Sequence, residues 1–272
     1  MTRIAVLADI HGNLPAFEAA LEHVARQSVD QIILAGDIIN GAPDSRECWA
    51  LARSLGCPIL RGNHERYAAH FGTPQAPPLW TQEQFAPVQW TVAQLSAQER
   101  QEMERLPLNR RLPAAPGVFF VHASERGDHD TIAAHTPEAQ LEEMFPAAQE
   151  GLIVRAHNHY GQVRVWPKGL IVTCGSVGLN LDGNLAAQYL LIERENHGWK
   201  FQHQSVPYPV ETALERFHTT GYLSAVGPMG RLFYRELATA AQHIVPFLRY
   251  YAQWAAEGQI TLSQAVERFL GL

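Results

Sequence analysis

Residues 4–8, 31–35, 58–60, 118–121 and 152–154 are short, mostly apolar runs, and each is followed within a few positions by Asp, Asn or His. Continuous apolar runs of this length read as strands covered on both faces. That demands layers of helix or sheet on either side. In open α/β sheets, ligands gather outside the carboxyl ends of the strands. Asp9, Asp37, Asn63, His122 and His157, far apart in sequence, are therefore expected to converge in one cleft. His11 and His159 extend two of these sites to Asp9-Ile10-His11 and His157-Asn158-His159.

The first third alternates strand and helix. Asn13 caps a helix with Pro15 in its first turn and with Leu14, Phe17, Leu21 and Val24 on one face. Asp44 or Ser45 opens a second helix that closes at Gly56. This β-α-β-α-β order predicts parallel strands with right-handed crossovers. Residues 66–116 break the rhythm and read as a helical insertion, with Ser96-Ala97-Gln98-Glu99 as a capping box. Strands resume at 118–121, 152–154, 162–166, 170–173 and 188–192, closely spaced and thus suggesting a second, more antiparallel sheet. A helix over 209–220 ends at Gly221. The rest is helical: Phe233, Leu237, Ala241, Ile244, Leu248 and Tyr251 recur at helical spacing with a kink expected at Pro246, and Thr261-Leu262-Ser263-Gln264 caps a last helix. The reading divides the chain into a domain over 1–210 and a helical extension, 211–272, packed on it.

A formal net charge of −6 argues against stable, non-specific nucleic-acid binding. Bound cations can still present an anion with a positive site. The three cysteines, Cys48, Cys57 and Cys174, are scattered and odd in number, so neither a disulfide framework nor thiolate zinc is expected. The apolar N-terminal run is too short for a signal peptide, and no stretch approaches the about 20 apolar residues of a membrane span. A cytoplasmic protein acting on a small or compact substrate is expected; the sequence sets no oligomeric state.

The donor types point to chemistry. Carboxylate and imidazole ligands suit manganese first, with iron, zinc, nickel or cobalt also accommodated. A carboxylate can bridge two ions, a part assigned to Asp37, and the neutral Asn63 amide keeps the site positive. Two cations about 3.5–4 Å apart hold and deprotonate a water and clamp a phosphoester. His64 follows Asn63 and, from the edge of the site, could protonate the leaving oxygen or stabilise charge on the phosphorane. Read singly, Asp9 and Asp37 are helix caps, Asn63 a turn residue and the histidines locally bonded core residues; the recurrence after five strands favours the metal reading. The remaining histidines, His23, His70, His129, His135, His197, His203, His218 and His243, match no motif and read as surface or packing residues. Arg61 and Arg66 flank the Gly62-Asn63-His64 turn and are taken as ion-paired more readily than phosphate-binding.

Asp9-Ile10-His11, Gly36-Asp37, Gly62-Asn63-His64-Glu65, His122 and Ala156-His157-Asn158-His159 together resemble the calcineurin-like metallophosphoesterase superfamily over about residues 1–210. Gly36-Asp37-Ile38-Ile39-Asn40-Gly41-Ala42-Pro43-Asp44 and Gly175-Ser176-Val177-Gly178 resemble its compact bacterial, phosphodiesterase-like branch. The resemblance implies an αββα sandwich of two mixed sheets flanked by helices. It implies that Asp9, His11, Asp37 and His159 hold one metal, that Asp37, Asn63, His122 and His157 hold the other, and that His64 is the acid for attack by metal-bound hydroxide. Two departures stand out. Ala156 replaces a glycine, and Asn40-Gly41 stand where the family's protein phosphatases carry Asp and Arg. The missing arginine favours a phosphodiester or nucleotide substrate. A Ser/Thr phosphoprotein phosphatase is the alternative. A non-catalytic scaffold, as in the family's retromer subunit that has lost the acid histidine, is disfavoured because His64 and every metal position are present. Gly175–Gly178 is read either as N–H donors to substrate or as a tight turn.

Overall fold

The computed structural model describes residues 2–196, 198–258 and 260–272; His197, read above as a surface residue, lies outside them. The elements in chain order are β1 (Arg3–Leu7), α1 (Leu14–Ala25), β2 (Gln31–Leu34), α2 (Ser45–Ser54), α3 (Asn63–His70), α4 (Ala86–Gln94), α5 (Ala97–Glu104), β3 (Asn109–Arg110), β4 (Val118–Val121), α6 (Glu138–Met144), β5 (Leu152–Arg155), β6 (Gly161–Trp166), β7 (Gly169–Cys174), β8 (Ala187–Glu195), β9 (Gly198–Val206), α7 (Val210–Thr219), α8 (Tyr222–Val226), α9 (Pro228–Thr239), α10 (Ile244–Ala256) and α11 (Leu262–Leu270).

The strands form two mixed sheets, β2-β1-β8-β9 and β3-β4-β5-β7-β6. Their alternating side chains build three layers of core. Ile4, Val6 and Ile33 of the first sheet meet Val118, Phe120, Leu152, Val154 and Val172 of the second. On the other face of the first sheet, Ala5, Leu7 and Leu34 pack on Phe17, Ala20, Cys48 and Trp49 of α1 and α2. Phe119, Val121, Ile153 and Ile171 turn outward onto Leu141 and Phe145 around α6. Both faces of every central strand are thus covered, which is why those strands are apolar throughout. The result is the expected four-layer αββα sandwich. No helix among the described residues is long and apolar enough to cross a membrane.

Several expectations need correction. Residues 58–60 form no strand, only an isolated parallel bridge between Leu34 and Ile59. The run around 188–192 leaves the second sheet: β8 pairs antiparallel with β1, Ala5 opposite Leu191, and brings β9 with it. Neither β9 nor α6 was anticipated, because β9 is half solvent-facing and α6 is only two turns. The second sheet has a parallel heart, β4-β5-β7, and antiparallel edges. The helix after 228 does not kink at Pro246. It ends at Ala240, in a left-handed conformation, and a new helix starts at Ile244 with Pro246 in its first turn, where proline is tolerated. The caps at Asn13, Ser96 and Thr261 form as read. Asp44 begins α2 without capping it, since its carboxylate is taken by Arg216.

Glu236, buried on α9, caps α10 from outside. Its carboxylate accepts from the N–H of His243 (2.8 Å) and of Ile244 (3.0 Å). Burial outweighs these donors and pushes its pKa up from 4.5 to about 7. A carboxyl raised in this way contributes stability that is full below about pH 4.5 and is lost as pH climbs toward 7. Glu236→Gln keeps an acceptor and removes the titration. Its unfolding free energy relative to the native chain should therefore rise between about pH 4 and 8, by on the order of 3 kcal/mol. A pH-independent difference in denaturant unfolding would refute this.

Candidate metal centre

Asp9 and Asp37 follow the parallel pair β1 and β2, and His122, His157 and His159 follow the parallel pair β4 and β5. Asn63 opens α3. All seven predicted ligand positions and His64 meet at one edge of the sandwich. Asp9, His11, Asp37 and His159 each offer an atom within 4.8 Å of the others, and so do Asp37, His122 and His157; Asp37 belongs to both groups. Asp37 Oδ2 lies 3.3 Å from His122 Nε2, 3.8 Å from His11 Nε2 and 4.0 Å from His64 Nε2.

The backbone is bent to achieve this. Asp9, His11, Asp37, Asn40, His157 and His159 have φ between +51° and +73°, a region that non-glycine residues visit at a cost of about 1–3 kcal/mol each. The N–H groups of Ile10 and His11 both donate to Asp37 O, lacing the first two ligand loops together. Close backbone approach requires glycine at two neighbouring points: a Cβ on Gly62 would meet Asp37 Oδ1 at 2.2 Å, and one on Gly178 would meet Ile10 O at 1.8 Å.

Outer hydrogen bonds fix the rings. Nδ1–H of His11 donates to Asn40 O (2.8 Å), that of His159 to Leu179 O (2.8 Å) and that of His122 to Ala35 O (2.7 Å). Each ring then turns its Nε2 to the site, as a lone pair wherever the ring is neutral. The consequence is an arrangement of donors facing donors. Nε2 of His11 and of His159 are 3.0 Å apart. Asp9 Oδ1, fully buried, has no hydrogen-bond partner. The inward end of the Asn63 amide lies 3.0 Å from His157 Nδ1 and from Asp128 O, 3.2 Å from Asp37 Oδ2 and 3.3 Å from His122 Nε2; as NH2 it donates to these atoms, and turned over it adds its oxygen to the donor set. Lone pairs so placed repel unless a cation sits among them, so this donor set fits divalent metal.

The electrostatics agree. Burial, with His159 and His64 adding to it, holds His11 well below the usual histidine range. Burial and neighbouring His122 depress His157 to about 2. Both rings are neutral donors. Burial raises Asp9 to about 6. Burial also acts against the Asp37 carboxylate, but His122 and His64 overcome it and keep Asp37 well below its ordinary value. His122 is the exception: burial opposes its charge, but Asp37 outweighs burial and raises the ring to about 9, so its Nε2 keeps a proton that a bound cation would have to replace.

His64 sits at the rim, its ring edge-on to His11 at 4.6 Å, and Nδ2–H of Asn40 donates to its Nδ1 at 2.6 Å. Arg66 is locked in a two-pronged pair with Asp128 (2.7 and 2.9 Å), and Arg61 leans on Glu104, so both follow the ion-pair reading. Gly175–Gly178 resolves as a structural seam. The N–H groups of Val177 and Gly178 donate to Ala8 O and Asp9 O, and Ser176 Oγ donates to Asp9 O, so these three donors are spent within the fold. Ala156 is buried between the sheets and its methyl is absorbed there. The other described histidines are outside the centre; His23 meets Tyr189 Oη, His70 meets Glu104 and His203 meets Thr173 O.

Three residues support the centre in ways not read from sequence: Glu65 and Asn40 lie in the quoted motifs but were given no supporting role, and Arg155 was not singled out. The buried Glu65 carboxylate accepts from the N–H of Asp37, Ile38 and Gly62, tying two ligand loops together. Arg155, wholly buried, donates to Ala123 O, Asn158 Oδ1 and Asp130 O, and so spans the loops that carry His122, His157 and His159. Asn40 braces His64. A charged residue at the end of an apolar strand was the available signal for Arg155.

The chain matches the family model for calcineurin-like phosphoesterases over residues 2–164, more than half its length and every position of the cluster. It belongs to that family. Its fold is similar to that of a crystallised metallophosphoesterase from Sphaerobacter thermophilus, with a TM-score of 0.68, 25% identity and coverage of 88% of this chain and 99% of that one. A hypothetical protein from Pyrococcus horikoshii shares the fold with a TM-score of 0.70 at 21% identity, over 89% of this chain and 100% of its own. An uncharacterized protein of Methanocaldococcus jannaschii is 25% identical over 231 residues, 78% of this chain and 90% of that protein. The family and the Asp/His cluster together indicate a phosphoric ester hydrolase that binds divalent metal.

Gly178→Ala tests the seam. Its methyl must displace the Ile10 backbone beside the first ligand loop, and a loss of about 3 kcal/mol or more is expected, together with weaker metal binding. A variant with native thermal stability would show that the loop moves freely.

Proposed function

We infer that this chain holds two divalent cations, manganese foremost, and hydrolyses phosphodiester or nucleotide-type phosphoester bonds. Asp9, His11, Asp37 and His159 would hold one ion, and Asp37, Asn63, His122 and His157 the other. The observation that carries this is the pair of donor clusters sharing Asp37, with imidazole lone pairs turned inward by backbone carbonyls. Bound there, the cations would supply Lewis acidity for the phosphoryl oxygens and would lower the pKa of an attacking water.

The chain's own groups do the rest. Ala35, Asn40 and Leu179 orient three histidines through their carbonyls. Glu65 and Arg155 hold the loops. The His64 side chain is 17% exposed at the rim, against 1% for Asp37. Because Asn40 donates to Nδ1, the His64 proton resides on Nε2, where it can be given to a leaving oxygen. Gly41 offers no cation, and Arg66 is engaged by Asp128. A diester with one charge needs fewer cationic contacts than a monoester dianion, which supports the diester over the phosphoprotein reading.

The test uses chelator-stripped protein with p-nitrophenyl mono- and diesters. Turnover should require added manganese and favour the diester, and His64→Ala should lower kcat by about 10²–10⁴ with little change in KM. Equal turnover in the variant removes the role of His64, and a preference for the monoester removes the diester assignment.

A further inference from the structure

His11 and His159 owe their aim to two carbonyls, Asn40 O and Leu179 O. Neither carbonyl lies in a sheet. Each lies on a loop packed against α7–α9, and the first is shared with α4, where Thr91 donates to Asn40 Oδ1 and Trp90 to Pro43 O. Tyr222 of α8, fully buried, donates its hydroxyl to Gly41 O at 2.6 Å, one residue past the carbonyl that holds His11. Arg216 of α7 binds the Asp44 carboxylate at the end of the same loop (3.0 and 3.1 Å). Ala42 and Leu179 belong to the apolar cluster of Phe217, Tyr222, Leu232 and Phe233. Ala240 O, at the end of α9, accepts from Gly183 N–H on the second loop. The other half of the centre is held differently. His122 is fixed by Ala35 O beside β2, and Arg155 fastens its loops from inside the second sheet.

We propose that the C-terminal helices form the outer wall of one half-site only, the one made by Asp9, His11, Asp37 and His159, and that Tyr222 is a positioning residue for the cation held there. This rests on the two-ion reading above. The sandwich alone builds the half-site at His122 and His157. The half-site at His11 and His159 depends on α7–α9 keeping two carbonyls in register. Displacing either carbonyl turns an imidazole away from the ion without unfolding a strand.

Manganese titration of the full-length, chelator-stripped protein reads this directly. The native chain should take up two ions. Tyr222→Phe keeps the ring and deletes the hydroxyl; it should bind one ion as before and the other about 3- to 10-fold more weakly, the scale of one buried hydrogen bond. In a His122→Ala background the single remaining ion should be weakened by Tyr222→Phe; in a His159→Ala background it should be unaffected. Arg216→Met should repeat the pattern, and it supplies the readout if Tyr222→Phe does not fold. Arg268→Met, which removes a cation–π contact with Trp254 far along the tail, should leave both affinities unchanged. Two ions in the native chain with both affinities unmoved, or moved equally, by Tyr222→Phe and Arg216→Met would overturn the role of the tail and leave the two-ion reading intact. One ion or none in the native chain would overturn both.

Discussion

Electron-pair donors held against one another are the constraint around which the rest of this molecule is arranged. Two imidazole nitrogens at 3.0 Å and a buried carboxylate oxygen without a partner are individually unfavourable. The fold meets the cost with rigidity. Left-handed backbone at six positions, a carboxylate gathering three N–H groups and a buried guanidinium spanning two loops all hold the donors where relaxation would separate them. Such local cost persists only where the surroundings over-determine it, and here two stacked sheets and their helices do so.

The central architecture and the donor set were legible because both rest on local signals. Runs such as 4–8 and 118–121 are apolar at every position, and a polar residue after each marks the carboxyl edge. What escaped was tertiary in origin. Nothing near 188–192 shows that this segment crosses back to β1 instead of joining the strands it follows; pairing partners are chosen across the core. The break at Ala240 was hidden because apolar spacing continues through it, and Pro246 drew attention to the wrong residue. Among site residues, Glu65 and Arg155 act on backbone groups, and Asn40 on the His64 ring, all brought near by folding, which residue type and spacing cannot encode.

The seam at Gly175–Gly178 illustrates a wider point about loop motifs beside active centres. Small residues there could have meant a binding nest for an anion. They mean instead that two chain segments touch, with Gly178 against Ile10 and Ser176 bonded to Asp9 O. The same economy is seen at Gly41, whose carbonyl receives the Tyr222 hydroxyl. Sequence departures in this loop therefore alter what supports the centre as well as what reaches the substrate.

The position of β8 carries a consequence for biosynthesis. β1 is flanked by β2 on one side and by β8 on the other, with Ala5 opposite Leu191. A ribosome extending the chain by about 5–20 residues per second needs roughly ten to forty seconds to travel between those two segments. Throughout that interval the nascent N-terminal half carries an apolar strand with one unpaired edge, the kind of surface that recruits stray β-segments. Protection of that edge while translation proceeds, by a chaperone or by transient pairing within the nascent chain, is built into the order in which this sheet is written.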